Sequence, residues 1–261
     1  MDLSQFGLEG RTVIVTGGSG GIGRGCVRVF ARAGANVVVA SLPSESIPPV
    51  VAEAQSLGVQ ALGLAVDVTD EAEVDLLVQR TLERFGRVDV LLNIAGGTMS
   101  RNVEMPQFRR ADLVDLDAAD FLAVYAVNVK SAFLCARAVA PRMKTQGKGV
   151  IVNTGSMAGL TGHKQRGEYS AYGAAKAALH RLTEYMAHQW APEVRVNCIA
   201  PGTIDTPRPP GVVRPELADA LERIDVGRLG TAEDVANVAL FLASDAASFV
   251  NAVVIPVHGG E

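Results

Sequence analysis

Short runs of β-branched and other apolar residues alternate with longer amphipathic stretches from one end of the chain to the other. Thr12–Thr16 is one such run, and it ends in a cluster of glycines. Ile22–Ala33 carries apolar residues at helical spacing and is closed by Gly34. The pattern predicts further strands over Asn36–Ala40, Ala61–Val66, Val88–Leu92, Val150–Thr154, Val194–Ile199 and Ala252–Val257. Between them it predicts helices over Pro48–Leu57, Glu71–Phe85, Asp117–Met143, Ser170–Trp190 and Ala232–Ala243. Gly58 and Gly86 mark two helix ends. Asp67–Asp70 holds a helix-start signal in which Thr69 is expected to bond the first-turn amides. Strands separated by helices imply right-handed crossovers and a parallel sheet covered on both faces. No repeat or low-complexity tract interrupts the alternation, so the expected fold class is α/β, one doubly wound parallel sheet in a single domain over residues 1–261.

Composition agrees with a large buried core, since 48% of the 261 residues are hydrophobic. The formal net charge is −4, and the basic residues are scattered rather than gathered into a stripe. That argues against a nucleic-acid or anionic-membrane partner. The N-terminus has no basic stretch followed by an apolar one, and runs such as Val37–Ala40 and Val150–Val152 fall far short of the roughly 20 residues that span a bilayer. A cytoplasmic location is the expectation. Cys26, Cys135 and Cys198 are widely separated and flanked by apolar residues, as reduced, buried thiols would be. His163, His180, His188 and His258 show no metal-ligand spacing, so no metal is expected.

The glycine cluster carries the first chemistry. Thr16-Gly17-Gly18-Ser19-Gly20-Gly21-Ile22-Gly23 stands between the first strand and the first helix. Glycines there let the backbone turn sharply and approach a pyrophosphate resting on the helix N-terminus. At the end of the second strand a dinucleotide binder often places an acid against the ribose of NAD. Here the stretch reads Ala40-Ser41-Leu42-Pro43-Ser44-Glu45-Ser46, with no acid at the expected place and hydroxyls at Ser41, Ser44 and Ser46. The reading therefore leans to NADP over NAD, with Arg24 and Arg32 either adding positive charge or serving as ordinary helix residues.

Tyr172-Gly173-Ala174-Ala175-Lys176 places a phenol and an ammonium one helical turn apart on one face. A tyrosine hydroxyl, with a reference pKa of about 10, is a poor base at neutral pH unless a nearby cation stabilises the phenolate. Alcohol oxidation needs such a base for the hydroxyl proton, and carbonyl reduction needs the same group as an acid. Tyr125, Tyr169 and Tyr185 have Val129, Gly173 and Gln189 at the matching position, so they lack the partner.

The glycine turn, Asn93-Ile94-Ala95-Gly96, Ser156 and the Tyr172/Lys176 pair occur in that order, and together they resemble the short-chain dehydrogenase/reductase family from Arg11 to Gly260. The resemblance implies a Rossmann-like fold and reversible hydride transfer between NADP or NAD and a secondary alcohol or ketone. It implies a catalytic set of Asn128, Ser156, Tyr172 and Lys176. Tyr172 would be the acid/base, and Ser156 would orient the substrate oxygen. Lys176 would hold the nicotinamide ribose and stabilise the phenolate, while Asn128 would hold a relay water. For the cofactor it implies Gly17, Ser19, Gly21, Ile22 and Gly23 on the phosphates and ribose, and Asp67 and Val68 on adenine. Asn93, Ala95 and Gly96 would form the floor, and Pro201, Gly202, Ile204 and Thr206 would lie beside the nicotinamide. It also implies a lid at about residues 203–224 and a homotetramer or homodimer built on the helices at Asp117–Met143 and Ser170–Trp190.

The chain departs from the family pattern at Ile94 and at His258. The stretch between Ser156 and Tyr172 is longer than usual and carries His163, Lys164, Arg166 and Glu168, either reshaping the substrate pocket or forming a solvated loop. Residues 97–117 also look extended, with Arg101, Arg109 and Arg110. Arg208 and Arg214 in the lid either meet an anionic substrate or face solvent. Net isomerisation or dehydration, and a non-catalytic nucleotide-binding regulator, stay open as alternatives to the oxidoreductase; an intact set of four argues against the regulator.

Overall fold

The computed structural model describes residues 4–97, 113–161, 170–206 and 216–261. Strands β1 (Thr12–Thr16), β2 (Asn36–Ser41), β3 (Ala61–Ala65), β4 (Val90–Asn93), β5 (Gly149–Thr154), β6 (Val194–Pro201) and β9 (Val254–Val257) form one parallel sheet in the order β3-β2-β1-β4-β5-β6-β9. The expected doubly wound α/β architecture is what forms. Because the chain moves outward from β1 in one direction and then outward from β4 in the other, a crevice opens between the ends of these two strands.

Helices α1 (Gly21–Arg32) and α8 (Ala232–Ala243) cover one face of the sheet, packed with Val13, Val15, Val37, Val39 and Leu92. Helices α3 (Glu71–Phe85), α5 (Ser131–Thr145) and α6 (Ser170–Trp190) cover the other, packed with Ile14, Val38, Leu91, Ile151 and Val196. Adjacent residues of a strand thus serve opposite cores, which is why these strands read as unbroken apolar runs. Each fully buried Val or Leu contributes about 1.5–3 kcal/mol of transfer free energy to this arrangement.

Several boundaries differ from the sequence reading, each for a local reason. Val88 stays outside β4 because the Gln146 side chain occupies both its backbone groups, accepting from Val88 N at 3.2 Å and donating to its carbonyl at 2.8 Å. The last strand starts at Val254 rather than Ala252, since Ala252 has a φ of 60°. Just before it, the Asn197 carboxamide accepts the Val253 N–H in place of a ladder bond. Helix α3 is capped by Asp70, which accepts from Ala72 N at 2.9 Å and Glu73 N at 3.1 Å. Thr69, expected in that role, instead donates its hydroxyl to Asp67 at 2.8 Å. Helix α2 (Ile47–Ser56) lies one residue earlier than expected.

The long stretch expected over Asp117–Met143 is α4 (Ala118–Tyr125), a π-helical turn at Ala126–Lys130, and α5. Taken together, Ala118–Thr145 is long and apolar enough to cross a membrane, which the length of single apolar runs had not suggested. Its Leu134, Cys135, Val139 and Met143 are instead packed against the sheet. Periodicity also gave no sign of α7 (Glu216–Leu221) or of the two-residue strands β7 (Ile204–Asp205) and β8 (Gly230–Thr231).

Candidate active site

The first turn of α1 is preceded by Gly20, whose position carries no side-chain cap. The first N–H groups of the helix are thus left facing the crevice, with the positive end of the helix dipole behind them. The glycines before it are required by geometry. Gly17 has a φ of 64°, and a Cβ there would lie 3.0 Å from the backbone of Ala95. A Cβ on Gly23 would stand 2.1 Å from the Gly17 carbonyl oxygen. Thr16 joins this turn to the one after β4: its Oγ1 accepts the N–H groups of Ile94 at 3.1 Å and Ala95 at 3.2 Å.

Over these strand ends lies a cleft of about 490 Å³. Its wall brings together Gly17, Ser19, Gly21, Ile22, Gly23, Ser41, Asp67, Val68, Ala95, Gly96, Tyr172, Lys176 and Thr206, residues scattered over most of the sequence. Ser19 Oγ and Ser41 Oγ are 2.7 Å apart, and Ser46 Oγ is 2.7 Å from Ser19 Oγ, so three hydroxyls cluster at the end of β2. Arg24 donates to Glu53 at 2.8 Å and Arg32 to Glu233 at 3.4 Å, so both guanidinium groups have carboxylate partners. Asp67 is oriented by Thr69, which donates to it from both its backbone N–H and its hydroxyl.

Tyr172 and Lys176 lie on α6 and reach the cleft near the end of β5. Lys176 Nζ donates to the Thr154 carbonyl at 2.6 Å and sits 5.5 Å from the centre of the Tyr172 ring. The lysine is buried at 3% exposure, and this desolvation pushes its pKa down to about 8, opposed by the neighbouring Cys198 thiol. It still carries its proton at neutral pH. Gly96 makes room for this head group, since a Cβ there would lie 3.3 Å from Nζ and 2.7 Å from Asn128 Oδ1.

The remaining residues expected at the site stand behind the wall or beside it. Asn128 is fully engaged: its Oδ1 accepts from Gly97 N at 3.0 Å, and its Nδ2 donates to the carbonyls of Gly97 at 2.8 Å and Val124 at 2.9 Å. These bonds tie the π-turn to the strand-end loop and give a reason for the break in the helix. Ser156 caps the short turn Met157–Gly159, its Oγ accepting the Ala158 N–H at 3.1 Å. The Asn93 side chain points into the protein, donating to Asn153 Oδ1 at 2.9 Å and the Ala132 carbonyl at 3.2 Å, so only its backbone can serve the cleft. Beyond Pro201 and Gly202, Thr203 donates from its N–H and its hydroxyl to the Glu261 carboxylate, both at 2.8 Å. Ile204 is buried in the small β7–β8 pair, and the Thr206 methyl lies within 3.6 Å of where a Gly21 Cβ would be.

Thr16, Thr154 and His180 were given no role at the site by sequence. Each holds a strand end or a helix in place, and only Thr16, as the last residue of the first strand run, was positioned to be noticed. His163, Lys164, Arg166 and Glu168, together with Arg101, Arg109, Arg110, Arg208 and Arg214, lie outside the described residues.

Comparison with known proteins agrees with this geometry. The model of a family described as enoyl-(acyl carrier protein) reductase matches residues 17–261. The 7alpha-hydroxysteroid dehydrogenase of Escherichia coli (strain K12) is 38% identical over 97% of this chain and 94% of its own length. The 3-oxoacyl-[acyl-carrier-protein] reductase FabG of Thermotoga maritima is 36% identical over 97% of this chain and 98% of its own. A solved structure of 7 alpha-hydroxysteroid dehydrogenase, complexed with NADH and 7-oxo glycochenodeoxycholic acid, superimposes with a TM-score of 0.88 at 37% identity, covering 100% of this chain and 97% of that one. With the glycine turn, the seven-stranded sheet and the Tyr172–Lys176 pair in one cleft, the chain belongs to the short-chain dehydrogenase/reductase family of NAD(P)-dependent oxidoreductases.

Proposed function

We propose that the cleft binds NADP(H) in preference to NAD(H) and that Tyr172 exchanges a proton with the oxygen of a small secondary alcohol or ketone. One observation supports this reading above others. The buried Lys176 ammonium stands beside the Tyr172 ring in the same cleft that the glycine turn and the uncapped helix N-terminus open. The cradle suits a dinucleotide: without a Cβ, Gly17 closes against the Ala95 backbone and Gly23 against the Gly17 carbonyl, a turn tight enough for a pyrophosphate to approach the helix amides. When bound, the nicotinamide supplies the hydride acceptor or donor.

The protein supplies position and proton transfer. Lys176, fixed by the Thr154 carbonyl, offers its remaining N–H groups to ribose hydroxyls and its positive charge to the Tyr172 phenolate. Ser156 orients the substrate oxygen towards Tyr172. Asn128 has its carboxamide committed to Gly97 and Val124, so its part in a proton relay is to shape the place that holds a relay water, without passing a proton itself. Asp67 and Val68 meet adenine. Gly96 and the backbone of Asn93 and Ala95 form the floor, while Pro201, Gly202, Ile204 and Thr206 border the nicotinamide.

The preference for NADP rests on the missing acid at the end of β2 and the hydroxyls of Ser19, Ser41 and Ser46. Those hydroxyls donate to a 2′-phosphate that an acid would repel. We assign residues 203–224, of which 207–215 lie outside the described residues, to the substrate lid of a single domain. Exposed Leu122, Phe133 and Tyr185 on α4, α5 and α6 suit the faces of a homodimer or homotetramer, and the charge balance suits a cytoplasmic enzyme.

The test is a panel of cyclic alcohols, hydroxysteroids and 3-oxoacyl thioesters followed by nicotinamide absorbance with each cofactor. Tighter binding of NADPH than NADH is expected, and a titration favouring NADH overturns the reading of Ser41. Tyr172→Phe should keep cofactor affinity while turnover falls by about 10³-fold or more, the scale of losing a positioned acid/base. Activity retained in that variant removes Tyr172 from its role.

A further inference from the structure

Helix α6 is tied to the strand end beneath it at three successive heights. Thr183 accepts from Asn153 Nδ2 at 2.9 Å, Lys176 donates to the Thr154 carbonyl at 2.6 Å, and His180 Nε2 accepts the Ser156 backbone N–H at 3.4 Å. Tyr172, Lys176 and His180 follow one another at i,i+4 spacing, so one stripe of the helix carries all three. The imidazole sits between two glycines that flank Ser156. A Cβ on Gly155 would be 2.1 Å from His180 Nε2, and one on Gly159 would be 2.9 Å from its Cε1. The ring fills a space that both glycines leave open.

We propose that His180 is a positioning residue for Ser156: by accepting the Ser156 N–H it sets where the serine hydroxyl stands relative to Tyr172. The ring also packs against Gly159, so it meets the serine turn at both ends. With Nε2 accepting, the ring's proton is on Nδ1 and the imidazole is neutral. Its surroundings favour that form, because burial and then the Lys176 charge hold its pKa below the usual histidine range. An alkyl or aromatic side chain here would leave the part-buried Ser156 N–H without this partner. A displacement of the serine of about 1 Å is enough to cost on the order of 100-fold in rate.

This inference rests on the proposed role of Ser156, and the experiment separates the two. His180→Asn is too short to reach the Ser156 N–H; His180→Gln carries an amide oxygen near the place of Nε2. Cofactor affinity is expected to stay within about threefold of wild type in both. In His180→Asn, kcat should fall about 10- to 100-fold, and in His180→Gln it should recover to within about fivefold of wild type. In a Ser156→Ala background, where kcat is already low, His180→Asn should have no further effect.

Equal losses in the Asn and Gln variants, cofactor affinity falling in step with kcat, or an undiminished His180→Asn effect without the serine hydroxyl would each overturn the inference. A Ser156→Ala enzyme with normal kcat would instead overturn the reading of Ser156. Near-UV circular dichroism checks that each variant is folded. If the Asn chain does not fold, His180→Phe, which fills the volume of the ring, takes its place in the same comparison.

Discussion

The buried ammonium of Lys176 makes a prediction whose size can be worked from the structure. In the folded, cofactor-free protein its pKa is pushed down to about 8 by burial, against 10.5 for the free side chain. Between those values the folded chain releases its proton first and the unfolded chain holds more protons, so this group makes stability rise as pH rises. Below the folded value both states are protonated, and the folded state bears the full cost of the buried charge. From about pH 7 to about pH 9.5 the linkage relation gives a ratio of about 30, or about 2 kcal/mol.

Lys176→Met fills a similar volume and removes the titration. Guanidinium chloride unfolding of both proteins without cofactor, at the two pH values, measures the difference. Relative to the variant, wild type should gain about 2 kcal/mol on going to the higher pH. The other alkaline groups titrate in both proteins and largely cancel. A difference unchanged within about 0.5 kcal/mol would refute the reasoning, since the lysine would then pay no desolvation on folding. The same comparison bears on function, because a charge held in place at a cost to stability is what a preorganised acid/base site requires.

Gly23→Ala forces a Cβ to 2.1 Å from the Gly17 carbonyl, so the phosphate turn must move. Cofactor affinity measured by fluorescence titration should fall by about tenfold or more, at a stability cost of about 1–3 kcal/mol. Asp70→Ala, outside the catalytic set, removes the acceptor of two N–H groups at the start of α3, one residue beyond Thr69 in the cleft wall. It should lower the unfolding free energy by about 1 kcal/mol and leave kcat unchanged.

The sequence by itself determined the order of elements and most of their extents. Runs such as Val13–Val15 and Val150–Val152 are apolar at every position because both faces of a parallel strand are buried, and that leaves a mark in one dimension. The spacing of Tyr172 and Lys176 was legible for a similar reason, as an i,i+4 pair is local to one helix.

Tertiary contacts decided where local signals competed or were absent. Thr69 and Asp70 both suit a helix cap, and Thr69 was drawn to Asp67, leaving Asp70 to bond the amides. Val88 has strand character, but the distant Gln146 took its backbone groups. The long apolar stretch after Asp117 reads as continuous helix, and only the meeting of Asn128 with Gly97 gives it a widened turn. Nothing near His180 in the chain announces Ser156, which lies 24 residues earlier. Burial likewise has no one-dimensional signature for a single lysine: the low pKa of Lys176 comes from the strands and loops folded around it, which strip its water and leave the Thr154 carbonyl as a partner.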